Sequence, residues 1–367
     1  TPHAVRAGDT CDGRVVPCEV DIVSAVAWSI VLASLFISIA VTGWARRQAL
    51  RRQWLDVPNA RSSHDAPTPR GGGVGIVLAT VCGFVALWGT GVIPADLCGA
   101  LLGGGLAVAV TGFRDDRKPL GAGLRLAVHI GAAAWALAWL GGVPPMQIGA
   151  STYDLGIVGN LLGALAIGWT INLFNFMDGI DGLAAGEAVF IASAGAFLSA
   201  GAASASVPAA SLVLAAAALG FLAWNWPPAR IFMGDVGSGY LGFVIAVLAL
   251  AAMRQSPVLV FAWLVLGGVF FVDATVTLAR RMARGERAHE AHRSHAYQWL
   301  ARAWGSHRAV TLAILLFDAW VLLPVAGFCV AYPQLAFTAA TATMVALVPL
   351  ALVLGAGRAE APRVSTE

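Results

Sequence analysis

Residues 157–186 read IVGNLLGALAIGWTINLFNFMDGIDGLAAG. The first part, 157–173, is an apolar run close to the ~20 residues an α-helix needs to cross a hydrocarbon core. Its end turns polar at a fixed spacing: Asn172, Asn175, Asp178 and Asp181 fall at steps of three. In a helical conformation such residues drift slowly around one face, with neighbours stacked a turn apart. Carboxylates beside so much apolar chain are costly unless they hold a cation, a partner or a proton. The stretch therefore predicts a membrane helix that ends in a functional polar face.

The rest of the chain has the same character. Over 367 residues it is 58% hydrophobic and only 12% charged, with mean hydropathy +0.76. A soluble domain carries about 25% charged residues, so a soluble globular class is excluded. Apolar runs recur at about 22–44, 73–90, 97–113, 124–141, 157–173, 183–200, 207–225, 237–253, 257–278, 308–330 and 335–355. The expected fold is an all-α polytopic, multi-pass membrane protein of about eleven transmembrane helices. If residues 45–72 are cytoplasmic, only Arg6, Arg14 and Arg254 of the 23 basic residues lie outside. That bias places the N-terminus in the periplasm and the C-terminus in the cytoplasm. The expected organisation is a periplasmic polar head (1–21), one membrane catalytic domain (22–355) and a cytoplasmic tail (356–367). The active-site loops fall at 45–72, 114–123, 174–182, 226–236 and 279–307. Cys82, Cys98 and Cys329 sit in apolar runs and read as small buried hydrophobes. Cys11 and Cys18 lie in the polar head, where a disulfide is open to them if the head is outside the cytoplasm.

Polar clusters gather on one side. The loop DVPNARSSHDAPTPRGGGVGI (56–76) carries Arg61, His64 and Arg70 as donors for phosphate or carboxylate. Its glycines permit close backbone approach, but no Gly-Lys-Ser/Thr follows and no strand precedes, so neither a Walker loop nor a dinucleotide fingerprint is present. The loop GFRDDRKPLGAGLRL (112–126) sets Asp115 beside Asp116 among basic residues. Such a pair can bind a divalent cation or share a proton, leaving one member as a general base. Asp235 stands between glycines in NWPPARIFMGDVGSGYLGF (225–243), at the start of a span whose free N–H groups form an anion-receptive end. The most basic loop, 279–307, holds His289, His292 and His295 among arginines that include Arg293. No acid or Cys stands at zinc-ligand spacing nearby, so an anion-binding surface, or a helix on anionic headgroups, is the better reading. Carboxylates with a divalent cation, ringed by Arg and His, are equipment for phosphoryl transfer.

Taken in order, PNARSSHDAPTPRGGG, GFRDDRKPLGAGLRL, NLFNFMDGIDGLAAG, RIFMGDVGSGYLGF and HRSHAYQ resemble the polyprenyl-phosphate N-acetylhexosamine-1-phosphate transferase superfamily, glycosyltransferase family 4. The resemblance covers about residues 50–300. It implies transfer of a sugar-1-phosphate from a UDP-sugar to undecaprenyl phosphate, with release of UMP. It implies that Asp235 and Asn175 hold magnesium (manganese as the alternative), and that Asp115 or Asp116 acts on the lipid phosphate. Asp178 and Asp181 match acids of the central motif. His292, Arg293 and His295 match the loop that meets the donor's pyrophosphate or sugar. Asn172, Arg61, His64 and Arg70 are further substrate-binding candidates. Pro119 stands where the peptidoglycan branch usually has Lys, and HRSH replaces a run of histidines. Both departures resemble the O-antigen-initiating branch, which implies UDP-GlcNAc or a 6-deoxy relative such as UDP-FucNAc or UDP-QuiNAc. The bilayer is the other partner; no nucleic acid is expected, and a homodimer is compatible with the sequence.

Two rivals stand beside this reading. An ion-coupled transporter would place its acids near the bilayer midplane, whereas these sit at span ends. A CDP-alcohol phosphotransferase would need Ala-Arg after its DG pair and two further acids, and DGIDGLAAG lacks them.

Overall fold

The structure, a computed structural model, describes residues 19–58, 66–201, 204–286 and 292–359. Every expected apolar run is helical over most of its length. In chain order these are α1 (Glu19–Arg51), α2 (Val74–Gly89), α3 (Ala95–Asp115), α4 (Ala122–Leu140), α5 (Gly156–Met177), α6 (Leu183–Ser199), α7 (Ser206–Asn225), α8 (Asp235–Gln255), α9 (Leu259–Leu266) and α10 (Gly268–Ala283). After the basic loop come α11 (Ala296–Trp304), α12 (His307–Phe317), a π-helical turn (Asp318–Leu322), α13 (Leu323–Ala331) and α14 (Ala336–Val353). Among the described residues eight helices, counting α12 to α13 as one, are long and apolar enough to cross a membrane. The bent pair α9–α10 makes nine, against the eleven expected, and α2 and α6 are shorter apolar helices.

The run 257–278 is not one straight span. It breaks at Gly267 with a 68° bend between α9 and α10, where two consecutive glycines remove side-chain support from the backbone. Two small antiparallel ribbons interrupt the all-helical picture. Leu55–Asp56 (β1) pairs with Thr68–Pro69 (β2), and Met146–Ile148 (β3) pairs with Ser151–Tyr153 (β4) around Gly149. The second ribbon occupies a loop that reads as featureless in sequence. Cys98 and Cys329 are buried as expected, but Cys82 is exposed on the outer face of α2. Cys11 and Cys18 lie outside the described residues.

Helix α8 is the axis of the bundle. In its apolar window 89% of residues are buried, because α2, α3, α5, α6 and α7 pack around it. The close approaches rest on glycine. Gly73 meets Gly237, Gly112 lies on the backbone of Asp235, and Gly242 lies on the backbone of Thr170. Small residues at such crossings let helix backbones touch, which is how apolar helices associate without a hydrophobic drive from lipid. The same crossings bring the ends of α3, α5 and α10 and the starts of α2, α4, α6, α8 and α12 to one end of the bundle. The polar loops meet there.

Candidate active site

At that end Asp116 and Asp235 are tied together by Arg70. The guanidinium reaches Asp116 Oδ1 from Nε at 3.0 Å and Asp235 Oδ1 from Nη2 at 2.9 Å. Arg70 is aimed by its backbone: the chain from Pro69 to Gly73 runs beside Phe232 and Met233, with Phe232 N–H donating to Pro69 O at 2.8 Å. Burial works against the Arg70 charge, but Asp116 and Asp235 more than offset it and raise its pKa.

The pair Asp115–Asp116, read as one unit in sequence, is split. Asp116 turns inward, its side chain 6% exposed, and accepts the N–H groups of Asp235 at 2.9 Å and Val236 at 3.2 Å. It therefore caps α8 from a neighbouring helix. This corrects the expectation that the α8 N-terminus is free for a ligand anion, since a carboxylate of the chain already fills it. Burial lifts the Asp116 pKa against the pull of Arg70 and the two N–H donors. Asp115 is nearly as buried but meets other partners. It pairs with Arg125 at 2.8 Å and accepts the Leu120 N–H, and its carboxyl group lies within hydrogen-bonding reach of that of Asp235.

Asp115, Asp235, Asn172 and Asn175 line one cleft of about 260 Å³, with Arg125, His129, Trp169 and Phe176. The asparagines lie on α5, a turn apart, as the spacing predicts. Asn175 Oδ1 accepts the Ser238 hydroxyl at 2.9 Å, while Asn172 donates to Gly168 O at 2.7 Å beside His129. The single polar face expected for Asn172, Asn175, Asp178 and Asp181 does not form, because α5 ends at Met177. Asp178 is its C-cap, and the chain turns at Gly179 and at Gly182 (φ +76°) before α6 begins. Asp178 stays in the field of Arg70, Asp235 and Asp116, and burial drives its pKa well above the usual carboxylate range. Asp181 goes elsewhere: it accepts the Ala229 N–H at 3.0 Å, faces His307 at 3.4 Å and does not line the cleft. It anchors the turn between α5 and α6 to α12.

The basic loop closes the site from another side. Phe176, on the cleft wall, stacks on His295 at 6.1 Å, and His295 stacks on His292 at 4.9 Å. Burial, with His295 and Arg281 nearby, holds the His292 pKa down to about 3. His295 Nδ1 lies 3.4 Å from Asp273 Oδ1. Asp273, an acid inside the apolar run 257–278, accepts the N–H groups of Ala296 and Tyr297 and so caps α11 as Asp116 caps α8. Tyr297 then donates to Phe176 O at 2.8 Å. Arg293 is placed in the same turn, its carbonyl held by Arg302. Arg61 and His64, and His289 with them, lie outside the described residues. Asp273, Tyr297, Arg125 and His129 are residues that sequence reading passed over. For Asp273 the signal was present, as a lone acid in an apolar run.

The cleft can be tested for a metal by its donors. Among the described residues no three His, Cys, Asp or Glu side chains converge as a ligand cage. The oxygens of Asp115, Asp235 and Asn175 nevertheless share the cleft, and two carboxyl groups in mutual contact are relieved by a cation between or beside them. Magnesium is commonly held by one or two carboxylates plus substrate phosphates rather than by an all-protein cage. The donor set fits that mode.

Residues 98–253 match the family model described as "Glycosyl transferase family 4". The chain is 30% identical over 292 residues to a probable undecaprenyl-phosphate N-acetylglucosaminyl 1-phosphate transferase of Bacillus subtilis, covering 78% of this chain and 80% of that one. It is 31% identical over 326 residues to a decaprenyl-phosphate N-acetylglucosaminephosphotransferase of Mycolicibacterium smegmatis, covering 79% and 78%. A phospho-N-acetylmuramoyl-pentapeptide-transferase of Moorella thermoacetica is 36% identical over 159 residues, covering 43% of this chain and 48% of that one.

Proposed function

The chain belongs to glycosyl transferase family 4, and from that premise we propose that it transfers N-acetylglucosamine 1-phosphate from UDP-GlcNAc to undecaprenyl phosphate. The products are a lipid-linked pyrophosphoryl sugar and UMP, and the lipid starts an O antigen or another cell-envelope polysaccharide. The observation that carries the reading is one cleft holding Asp115, Asp235, Asn172 and Asn175, with the Phe176–His295–His292 stack at its edge. The relatives matched over most of their length are named for N-acetylglucosamine, which favours that sugar over its 6-deoxy relatives. None of these relatives supports a transporter or a CDP-alcohol phosphotransferase.

In this reaction an oxygen of the acceptor phosphate attacks the β-phosphorus of the donor, and the bond from that phosphorus to the bridging oxygen breaks. Asp115 is placed to receive a proton from the acceptor phosphate, since it lines the cleft and is kept ionised there by the Leu120 N–H and Arg125. Asp116 is less suited, because both its oxygens are engaged in capping α8. Asp235 and Asn175 would hold Mg²⁺, which when bound would neutralise charge developing on the phosphates. His292 and His295 offer ring edges to the donor, with Arg293 in the same turn. Arg70 fixes Asp235 and keeps its carboxylate directed. The site faces the cytoplasm in this reading, as the distribution of basic residues requires for a nucleotide-sugar donor.

The test incubates the purified full-length protein with labelled UDP-GlcNAc, UDP-FucNAc, UDP-QuiNAc and UDP-MurNAc-pentapeptide, together with undecaprenyl phosphate. A lipid-linked GlcNAc pyrophosphate with stoichiometric UMP is the expected result. UDP-MurNAc-pentapeptide as the preferred donor, or no lipid product from any donor, overturns the proposal. Activity is expected to disappear with EDTA and return with Mg²⁺ or Mn²⁺; full turnover in EDTA would remove the metal from the reading.

A further inference from the structure

Tyr297, the second residue of α11, is 1% exposed and holds its hydroxyl against the turn that follows α5. That hydroxyl donates to Phe176 O at 2.8 Å, and its oxygen lies within hydrogen-bonding reach of the Gly179 N–H. Phe176 O is one of the last four carbonyls of α5, which a helix cannot pair within itself. Helices α3 and α7 close their last turns with the N–H of their own C-cap residues. The end of α5 receives a side chain from 121 residues further along the chain. The turn is shaped for that hydroxyl. A Cβ on Gly179 would strike the Tyr297 oxygen and would lie 3.1 Å from Cζ of the ring. Gly179 does not have a positive φ, unlike Gly182, so a side chain is excluded there by space and not by backbone strain.

On its other side Tyr297 is tied to the basic loop. Its N–H donates to Asp273 Oδ2 at 3.3 Å, while Asp273 Oδ1 accepts the Ala296 N–H at 2.9 Å and the Thr277 hydroxyl at 3.0 Å. Its ring stacks on His295 at 5.6 Å and 23°, and His295 stacks in turn on the Phe176 ring. Phe176, His295 and Tyr297 thus form a closed circuit, ring to ring to ring and then hydroxyl back to the Phe176 carbonyl. We propose that Tyr297 is a positioning residue. Through its hydroxyl it holds Asn175 and Asp178 in register with His292 and His295, so that the α5 wall of the cleft and the histidine stack at its edge are set as one unit. Its effect on turnover rests on the transfer reaction proposed above, whereas the contact does not. Tyr297 is absent from the cleft lining, and its hydroxyl is spent on backbone groups.

The experiment uses the detergent-purified full chain as wild type, Tyr297→Phe, Gly179→Ala and the double variant Gly179→Ala/Tyr297→Phe. Amide hydrogen exchange is followed by mass spectrometry on peptides covering 174–182, beside thermal melts and steady-state turnover with UDP-GlcNAc and undecaprenyl phosphate. Tyr297→Phe removes the hydroxyl and keeps the ring stack. It is expected to speed exchange in 174–182 and to lower kcat, each by about tenfold, the size of one buried hydrogen bond, with KM for undecaprenyl phosphate unchanged. Gly179→Ala pushes the hydroxyl out of the turn and should do at least as much. In the double variant the missing oxygen makes room for the new methyl, so kcat and exchange should recover from the Gly179→Ala level to that of Tyr297→Phe. Wild-type exchange and kcat in Tyr297→Phe overturn the proposal. So do losses in the double variant that simply add, or lower melts with exchange in 174–182 unchanged, since these describe packing alone. If wild type makes no lipid-linked product, the reaction reading fails, and the exchange pattern across the variants still decides the contact. If Gly179→Ala fails to fold, Tyr297→Phe decides alone by its exchange and kcat.

Discussion

Three aspartates that meet at one end of the bundle have different tasks. Asp115 and Asp235 open to the cleft, whereas Asp116 spends both oxygens on the N–H groups of α8. Replacing Asp115 or Asp235 by Asn is expected to abolish transfer while leaving the thermal melt near that of wild type. Asp116→Asn keeps one acceptor oxygen but loses the charge, and is expected to cost about 1–3 kcal/mol of stability together with activity. Melting curves beside turnover for the three variants check this, and an unshifted melt for Asp116→Asn would remove its capping task. Arg70 spans two carboxylates with two different nitrogens, a reach that a Lys ammonium cannot reproduce. Losing one charge-assisted bond of about 1.5–3 kcal/mol should lower kcat by roughly 10- to 100-fold in Arg70→Lys. Wild-type kcat in that variant would show that the bridge is not needed.

Among the elements, the helix ends are built from outside. Asp116 of the α3 end caps α8, and Asp273 of α10 caps α11, so each polar loop is locked by a carboxylate from another helix. A sequence shows local caps, where Ser, Thr, Asp or Asn directly precedes its helix, but a partner 119 residues away, as for α8, or 23 away, as for α11, leaves no local trace. The same is true of the glycines. Gly112 gives no reason in sequence to differ from the other small residues of α3, yet a Cβ there would strike the Asp235 backbone, which cannot rotate away. Gly112→Ala is expected to cost about 1–3 kcal/mol by overpacking and to reduce activity more than its stability loss explains, because it pushes α3 and both its aspartates off α8. A melt equal to wild type would show that the two helices have room to part.

At the scale of the whole molecule, the described part of the basic loop from His292 onward is folded back onto the bundle, and His292 is desolvated by that docking. His292 holds no proton in the folded chain until about pH 3, against 6.5 in an open chain, chiefly through burial. Between those values the unfolded state binds the extra proton, so this contribution to stability is full above pH 6.5 and is lost as pH falls toward 3. His292→Gln should therefore flatten the acid side of the pH–stability curve, read as melting temperature from pH 7.5 down to 4.5 in detergent. An unchanged acid limb would mean that the loop is not docked in solution. A pyrophosphate beside the ring would favour the imidazolium, so saturating UDP-sugar should raise the His292 pKa in an NMR titration.

Composition and periodicity alone determined that the chain is a helical membrane protein, because the free energy of placing backbone and side chains in lipid depends on local runs of residues. They also determined which loops carry acids and bases, since charge in an apolar chain is conspicuous. Tertiary structure decided what those residues do. It ended α5 at Met177, so that Asp178 is buried in the field of Arg70 and Asp181 faces His307 instead of the two sharing one face. It turned Asp115 toward Arg125 and the cleft and Asp116 toward the α8 backbone, although the two are adjacent in sequence and identical in chemistry. The reason is geometric. A helix end fixes the direction of each side chain, and only the neighbouring helix decides whether that direction meets a backbone N–H or an open cleft.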